Sequence, residues 1–254
     1  MKLIAHWSRI TWLFLWFIPA TVICSSLAVF ATALKLPRRL ADHGYQRFGQ
    51  AVMIGAGVRL RVVGREHLPK DAPPSVLVCN HESNLDAPAL VYALEPRSVR
   101  SVIKAELLKV PVLGWGLANS GCVAVQRGKG AAKDNATLIE RASREQPSDL
   151  IFFAEGTRSE DGVLKTFKKG AFHQAVNTGR PIVPMALGGA IECLPPHTIR
   201  PFPGPVFLVI GEPISVEGLG PDDVEALRDR TWEAVAALRQ QALKLAESPR
   251  YEGD

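Results

Sequence analysis

From Ile10 to Leu34 the chain runs for 25 residues without a charge, ITWLFLWFIPATVICSSLAVFATAL, and this segment constrains the fold more than any other. As one helix at about 1.5 Å per residue it extends roughly 37 Å. A bilayer's hydrocarbon core is about 30 Å thick, so the segment is long enough to cross it. A cleaved secretory signal would have a shorter apolar region, about 7–15 residues, followed by a small-residue cleavage site. Ala31-Thr32-Ala33 is a poor site of that kind, and the segment reads as a membrane anchor. Lys2 and Arg9 flank one end; Lys35, Arg38, Arg39 and Arg47 flank the other. Basic flanks favour the cytoplasm, so the heavier cluster places the rest of the chain on the cytoplasmic side of an inner or plasma membrane. Basic residues at both ends, with Pro19 and Ser25-Ser26 inside, equally allow a segment that dips into one leaflet. Trp7, Trp12 and Trp16 crowd one end, as interfacial anchors do.

The sequence then divides into an anchor with a basic linker (1–50) and one domain (51–254) of ordinary size. A formal charge of +5 suits a phospholipid membrane, a phosphate-bearing substrate or nucleic acid, and equally well serves solubility alone. No groove-reading motif is evident, so nucleic acid is set aside as a partner. Cys24, Cys79, Cys122 and Cys193 form no CxxC pair. They suggest neither a zinc site nor a disulfide framework, and read as reduced thiols.

Short apolar runs bounded by Gly, Pro or polar residues predict strands at Val58–Val63, Ser75–Cys79, Val99–Ile103, Cys122–Val125, Leu150–Phe153, Ile182–Leu187 and Val206–Ile210. Helices are predicted at Pro88–Leu94, Ala131–Glu145, Ala171–Thr178 and Asp222–Ala246. The alternation implies an α/β fold: a largely parallel mixed sheet flanked by helices, carrying the N-terminal apolar helical anchor. Leu194–Pro205 is proline-rich and reads as a rigid loop near the membrane or an acyl chain.

Two stretches carry chemistry. In the first, the apolar run Val76–Cys79 leads into Asn80-His81-Glu82-Ser83-Asn84-Leu85-Asp86. A histidine such as His81 can take a proton from a hydroxyl. Asp86 can turn back to orient its ring, the base-and-orienter half of a hydrolase triad. If the incoming alcohol itself attacks, no serine or cysteine nucleophile is needed. Alone, the pair is as readily a loop histidine and a helix-capping aspartate. No third metal ligand is evident.

In the second, Leu150–Phe153 leads into Ala154-Glu155-Gly156-Thr157-Arg158-Ser159. Gly156 lets the backbone turn tightly, Thr157 adds a hydroxyl donor, and Arg158 offers a planar fork to phosphate oxygens. Glu155 is expected to orient Arg158 or to bond an acceptor hydroxyl. Lys104 and Arg127 follow predicted strands, where they would add cations to a phosphate pocket. Lys165, Lys168 and Lys169 read as a solvated basic face.

Asn80-His81-x4-Asp86, followed about 70 residues later by Phe153-x-Glu155-Gly156-Thr157-Arg158-Ser159, resembles the glycerolipid acyltransferase family, in particular its bacterial 1-acylglycerol-3-phosphate O-acyltransferases. Lys104-Ala105-Glu106-Leu107, Gly121–Arg127, Phe167–Ala171 and Ile182–Met185 resemble further blocks of that family, over roughly residues 55–215. At Ala124 the chain departs from the bulkier residue usual there. The resemblance implies acyl transfer from acyl-CoA or acyl carrier protein to a lysophosphatidic-acid-like acceptor, giving phosphatidic acid. His81 and Asp86 would be catalytic; Lys104, Arg127 and Arg158 would bind the substrate phosphate; Glu155, Gly156 and Thr157 would position the acceptor. No bound cofactor or metal is implied. Another lysolipid acceptor, such as a lyso-ornithine lipid, and a non-catalytic module binding anionic lipid stand as alternatives.

Overall fold

The structure, a computed structural model, describes residues 2–126, 128, 130–145 and 147–248. The side chains of Trp7 and Trp12, and Arg127 altogether, lie outside the described residues.

In chain order the elements are α1 (Lys2–Ala33), α2 (Arg39–Gly55), β1 (Val58–Val63), β2 (Val76–Cys79), α3 (Asp86–Ala93), β3 (Val99–Lys104), α4 (Leu113–Asn119), β4 (Val123–Val125), α5 (Ala131–Glu145), β5 (Asp149–Phe153), α6 (Gly170–Thr178), β6 (Ile182–Gly188), α7 (Ala190–Cys193), β7 (Gly204–Ile210) and α8 (Val224–Ala246). Among the described residues the strands form one seven-stranded sheet in the order β1-β7-β6-β2-β5-β3-β4. Neighbours are parallel except β6 and β7, so β1 and β7 run against the other five.

The three central strands are buried throughout, apart from the last residue of β5. Both of their faces are covered, which is why they read as unbroken apolar runs and not as alternating ones. Leu77, Ile151, Val183 and Met185 point to one face, where they meet Met53 of α2 and Leu90 of α3. Val76, Val78, Leu150 and Phe152 point to the other, against Phe172 of α6 and Val235 of α8. Below the sheet centre, Arg97 grips Asp149 through Nε–Oδ2 at 2.6 Å and Nη2–Oδ1 at 2.8 Å.

The stretch read as a basic linker is helical. The boundary drawn at residue 50 falls inside α2, whose buried residues Ala41, Tyr45, Gly49, Val52 and Met53 recur at helical spacing. Tyr45 donates its hydroxyl to Ser101 Oγ or accepts from it at 2.9 Å. Gly49 lies so close to α3 that a Cβ there would stand 2.6 Å from the Pro88 carbonyl oxygen.

The anchor segment forms the greater part of α1, and its residues Phe14–Ala33 are long and apolar enough to cross a membrane. It does not stand apart from the domain. Trp16 Nε1 donates to the Ala51 carbonyl at 2.7 Å, and Gly44 of α2 faces the Cys24 carbonyl. Because Trp16 meets Ala51 while Cys24 meets Gly44, α1 and α2 are antiparallel. Gly116 of α4 packs against Ser25. The remaining face of α1 carries Leu15, Ile23 and Phe30, each more than 60 % exposed.

Candidate active site

The site is built by strand register. Cys79 of β2 stands beside Phe153 of β5, so the residues two places beyond each, His81 and Glu155, leave the same edge of the sheet as neighbours. The His81 backbone N–H donates to Glu155 Oε1 at 2.7 Å, and its carbonyl accepts from the Ser159 N–H at 2.7 Å. Its ring stacks on Phe153, centroids 4.1 Å apart and planes 20° apart. The two motifs thus hold His81 by its backbone on both sides and by one face of its ring.

His81 Nδ1 lies 2.7 Å from Asp86 Oδ2. The same oxygen accepts the backbone N–H groups of Glu82 at 2.7 Å and Ser83 at 2.8 Å. Asp86, the first residue of α3, is 1 % exposed at its side chain, whereas that of His81 is 22 % exposed. With Nδ1 committed to the carboxylate, Nε2 is left as the nitrogen that can accept a proton. Ser83 ties the loop down by donating Oγ–H to the Leu194 carbonyl at 2.8 Å. This bond places the beginning of the proline-rich loop beside the site.

Glu155 makes backbone contacts that the sequence did not suggest. It is 4 % exposed, and its second oxygen accepts the Lys165 N–H at 2.9 Å. Both oxygens accept backbone N–H groups, and among the described residues neither is bonded to Arg158. Burial pushes the Glu155 carboxyl above the usual carboxylate range, with the Lys165 and His81 N–H groups offsetting part of the effect. Arg158 is instead oriented by Asn84, Nη1 to Oδ1 at 2.8 Å, which links the second motif to the first once more.

Gly156 has φ of +74°, in the region that glycine tolerates best. Its N–H donates to the Phe153 carbonyl at 2.9 Å, so that amide is not available to an oxyanion. Thr157 is exposed at the turn. Lys104 ends β3, its side chain 43 % exposed and its Nζ 3.8 Å from Glu106. It pairs with Val125 of β4, two residues before Arg127. β3, which ends in Lys104, and β4 lie on the same side of β5, the strand leading to Arg158.

A partly exposed histidine backed by a buried carboxylate, in a loop that also holds Arg158 through Asn84, is suited to activating a hydroxyl next to an anionic group. The acyltransferase family model matches residues 59–188, which contain both motifs and more than half of the chain.

The chain belongs to the acyltransferase family. It is 30 % identical over 229 residues to the 1-acyl-sn-glycerol-3-phosphate acyltransferase alpha of Mus musculus, covering 89 % of this chain and 77 % of that one. It is 35 % identical over 181 residues to a 1-acyl-sn-glycerol-3-phosphate acyltransferase of Pseudomonas aeruginosa, covering 69 % and 66 %. Against the chloroplastic LPAT1 of Arabidopsis thaliana the match spans 62 % of this chain and 44 % of the relative. The chain therefore spans from under half to about three quarters of the length of these relatives. The crystal structure of the 1-acyl-sn-glycerophosphate acyltransferase PlsC from Thermotoga maritima superposes with a TM-score of 0.80 at 25 % identity, covering 98 % of this chain and 99 % of that one.

Several groups that shape the candidate site have contacts that the sequence did not assign to them. Asn80 is a strap: its side chain accepts the Leu187 N–H at 2.8 Å and donates to the Leu187 carbonyl at 3.0 Å, fixing the end of β2 to β6. Lys168 was read as part of a solvated face, yet its side chain lies over Gly156, where an added Cβ would be 2.6 Å from Nζ. Lys165 Nζ caps the Arg158 carbonyl at 2.7 Å. Lys169 points away, to Glu225 of α8 at 3.1 Å.

Proposed function

We propose that this chain transfers a fatty acyl group from acyl-CoA or acyl carrier protein to the sn-2 hydroxyl of 1-acylglycerol 3-phosphate, giving phosphatidic acid for phospholipid synthesis. The observation that carries the reading is the His81–Asp86 pair at 2.7 Å, a buried carboxylate behind a partly exposed histidine. The likeness to proteins named 1-acyl-sn-glycerol-3-phosphate acyltransferase supports the choice of acceptor.

In this mechanism His81 Nε2 takes the proton of the acceptor hydroxyl as its oxygen attacks the thioester carbonyl carbon. Asp86 fixes the ring and stabilises the positive charge that develops on it. The tetrahedral intermediate collapses, the carbon–sulfur bond breaks, and the proton passes from His81 to the departing thiolate. Lys104, Arg127 and Arg158 hold the acceptor phosphate. Gly156 and Thr157 shape the turn that presents Arg158. The exposed apolar face of α1 and the basic residues at its ends keep the site against the cytoplasmic face of a membrane, where the lipid substrate resides.

The test is acyl transfer by detergent-solubilised protein to lysophosphatidic acid and to a phosphate-free lysolipid, each with both thioester donors. Phosphatidic acid as the preferred product supports the reading. Preference for the phosphate-free acceptor keeps the chemistry and overturns the acceptor. Binding to anionic vesicles without acyl transfer to any acceptor overturns the enzyme reading.

A further inference from the structure

The carboxylate next to the histidine is held by the C-terminal helix. Glu82 is 2 % exposed. Its Oε1 accepts from Asn80 Nδ2 at 3.0 Å and from Arg239 Nε of α8, 157 residues later. The Arg239 side chain is itself mostly buried, and its guanidinium also lies near the Gly162 turn in the loop after β5. α8 makes a firm mount for it. Gly188 of β6 approaches α8 so closely that a Cβ would stand 2.6 Å from the Ala242 carbonyl carbon, and Gly211 would meet Leu238 at 2.8 Å.

Glu82 also donates its backbone N–H to Asp86 Oδ2, the oxygen that faces His81 Nδ1. A continuous chain of contacts therefore runs from Arg239 through Glu82 to Asp86 and His81. We infer that Arg239 is a positioning residue for the acyl-transfer reaction, acting through Glu82 to hold the loop that carries His81 and Asp86. The inference rests on the proposed function and adds to it a residue that neither motif contains.

The charge balance around the loop supports this role. Glu82 is faced by Arg239 from α8, by Asp86 at the start of α3, by Glu155 from the turn after β5 and by the Asn80 amide, with the Cys79 thiol and the His81 ring close by. Three buried carboxylates thus meet one guanidinium and one imidazole. Burial pushes the Glu82 carboxyl above the usual range, and Arg239 is foremost among the groups that counter it. Without Arg239 the charged form of Glu82 would lack a counter-ion in a buried site, a costly state that a loop relieves by moving or by taking up a proton.

The experiment compares wild type, Arg239→Met, Glu82→Gln and the double variant Glu82→Gln/Arg239→Met, with lysophosphatidic acid as acceptor. Circular dichroism and thermal melting accompany the kinetics. Arg239→Met should lower kcat about tenfold or more, the scale of a misplaced general base, while KM for the acceptor stays within about twofold. Its activity relative to wild type should rise as the pH is lowered from about 8 to 6, because protonation of Glu82 removes the unpaired charge. The double variant should recover most of the loss and show no such pH trend. Wild-type kcat in Arg239→Met overturns the inference, as does a double variant no better than the single one. A KM change alone would make Arg239 a substrate contact and also overturn it. If wild type acylates no lysolipid, the proposed function fails and this inference fails with it.

Discussion

The carboxylate of Glu155 accepts the backbone N–H of His81 at 2.7 Å across 74 residues of sequence. One oxygen of Glu155 thus welds the two motifs into a single unit, and the other extends it to Lys165. The acidic charge in the second motif is a fastener of the first, and that role has measurable consequences.

Replacing Glu155 by Ala leaves two partly buried N–H groups without an acceptor, at a combined cost of about 1–3 kcal/mol. For a chain of this size the melting temperature should fall by roughly 5 °C or more. kcat should fall with it, because His81 loses the bond that fixes its backbone. Thermal melting and steady-state kinetics check both, and an unchanged melting temperature would contradict the role.

The same carboxyl gives stability a definite pH dependence. Burial raises its folded value above the ordinary one, so the folded chain holds this proton more tightly than the unfolded chain does. Its contribution is fully present below the ordinary value of about 4.3 and is lost as the pH rises through the folded value. The stability of wild type relative to Glu155→Gln should therefore be greater near pH 4 than near pH 7. Melting curves of both proteins at these two pH values measure the difference, and a gap that widens toward neutral pH would contradict the sign.

Arg97 and Asp149 test the fold independently of the chemistry. The pair is buried and bidentate, and Asp149 also accepts the Ser75 N–H at 2.8 Å. Breaking it from one side, as in Arg97→Met, should cost about 3–5 kcal/mol, because the buried Asp149 carboxylate loses its bidentate counter-ion. Denaturant unfolding reads this directly; a loss below about 1 kcal/mol would show the pair to be dispensable.

The exposed face of α1 predicts behaviour at a bilayer. Ile23 and Phe30 are 67 % and 63 % exposed, so Ile23→Lys/Phe30→Lys should leave the melting temperature in detergent nearly unchanged. The same change should sharply reduce co-flotation with anionic phospholipid vesicles. Equal flotation of the variant and wild type would remove this face as the lipid contact.

Most of the sheet was legible because buried parallel strands leave short apolar runs that end in turns. All seven predicted strands are present within two residues of their predicted ends. The His81–Asp86 pairing was legible because the partners are only five residues apart in the sequence. What the sequence hid depends on distant neighbours. α2 mixes charge with small residues that are buried only because α1 and α3 cover them. Glu155 carries the charge of a ligand-binding residue, but two backbone amides claim it. The partner of Glu82 is 157 residues away on a helix chosen for its apolar face, and no spacing rule connects them.

The central claim is that His81 is the base of an acyl transfer to a lysophosphatidic acid hydroxyl. The measurement that tests it most directly is phosphatidic acid formation by wild type and by His81→Ala, with folding of both verified by thermal melting. The account predicts product with wild type and a loss of about 10²–10⁴-fold in kcat with the variant, the usual worth of general acid–base catalysis. A folded His81→Ala protein that forms phosphatidic acid at near wild-type rate would contradict it.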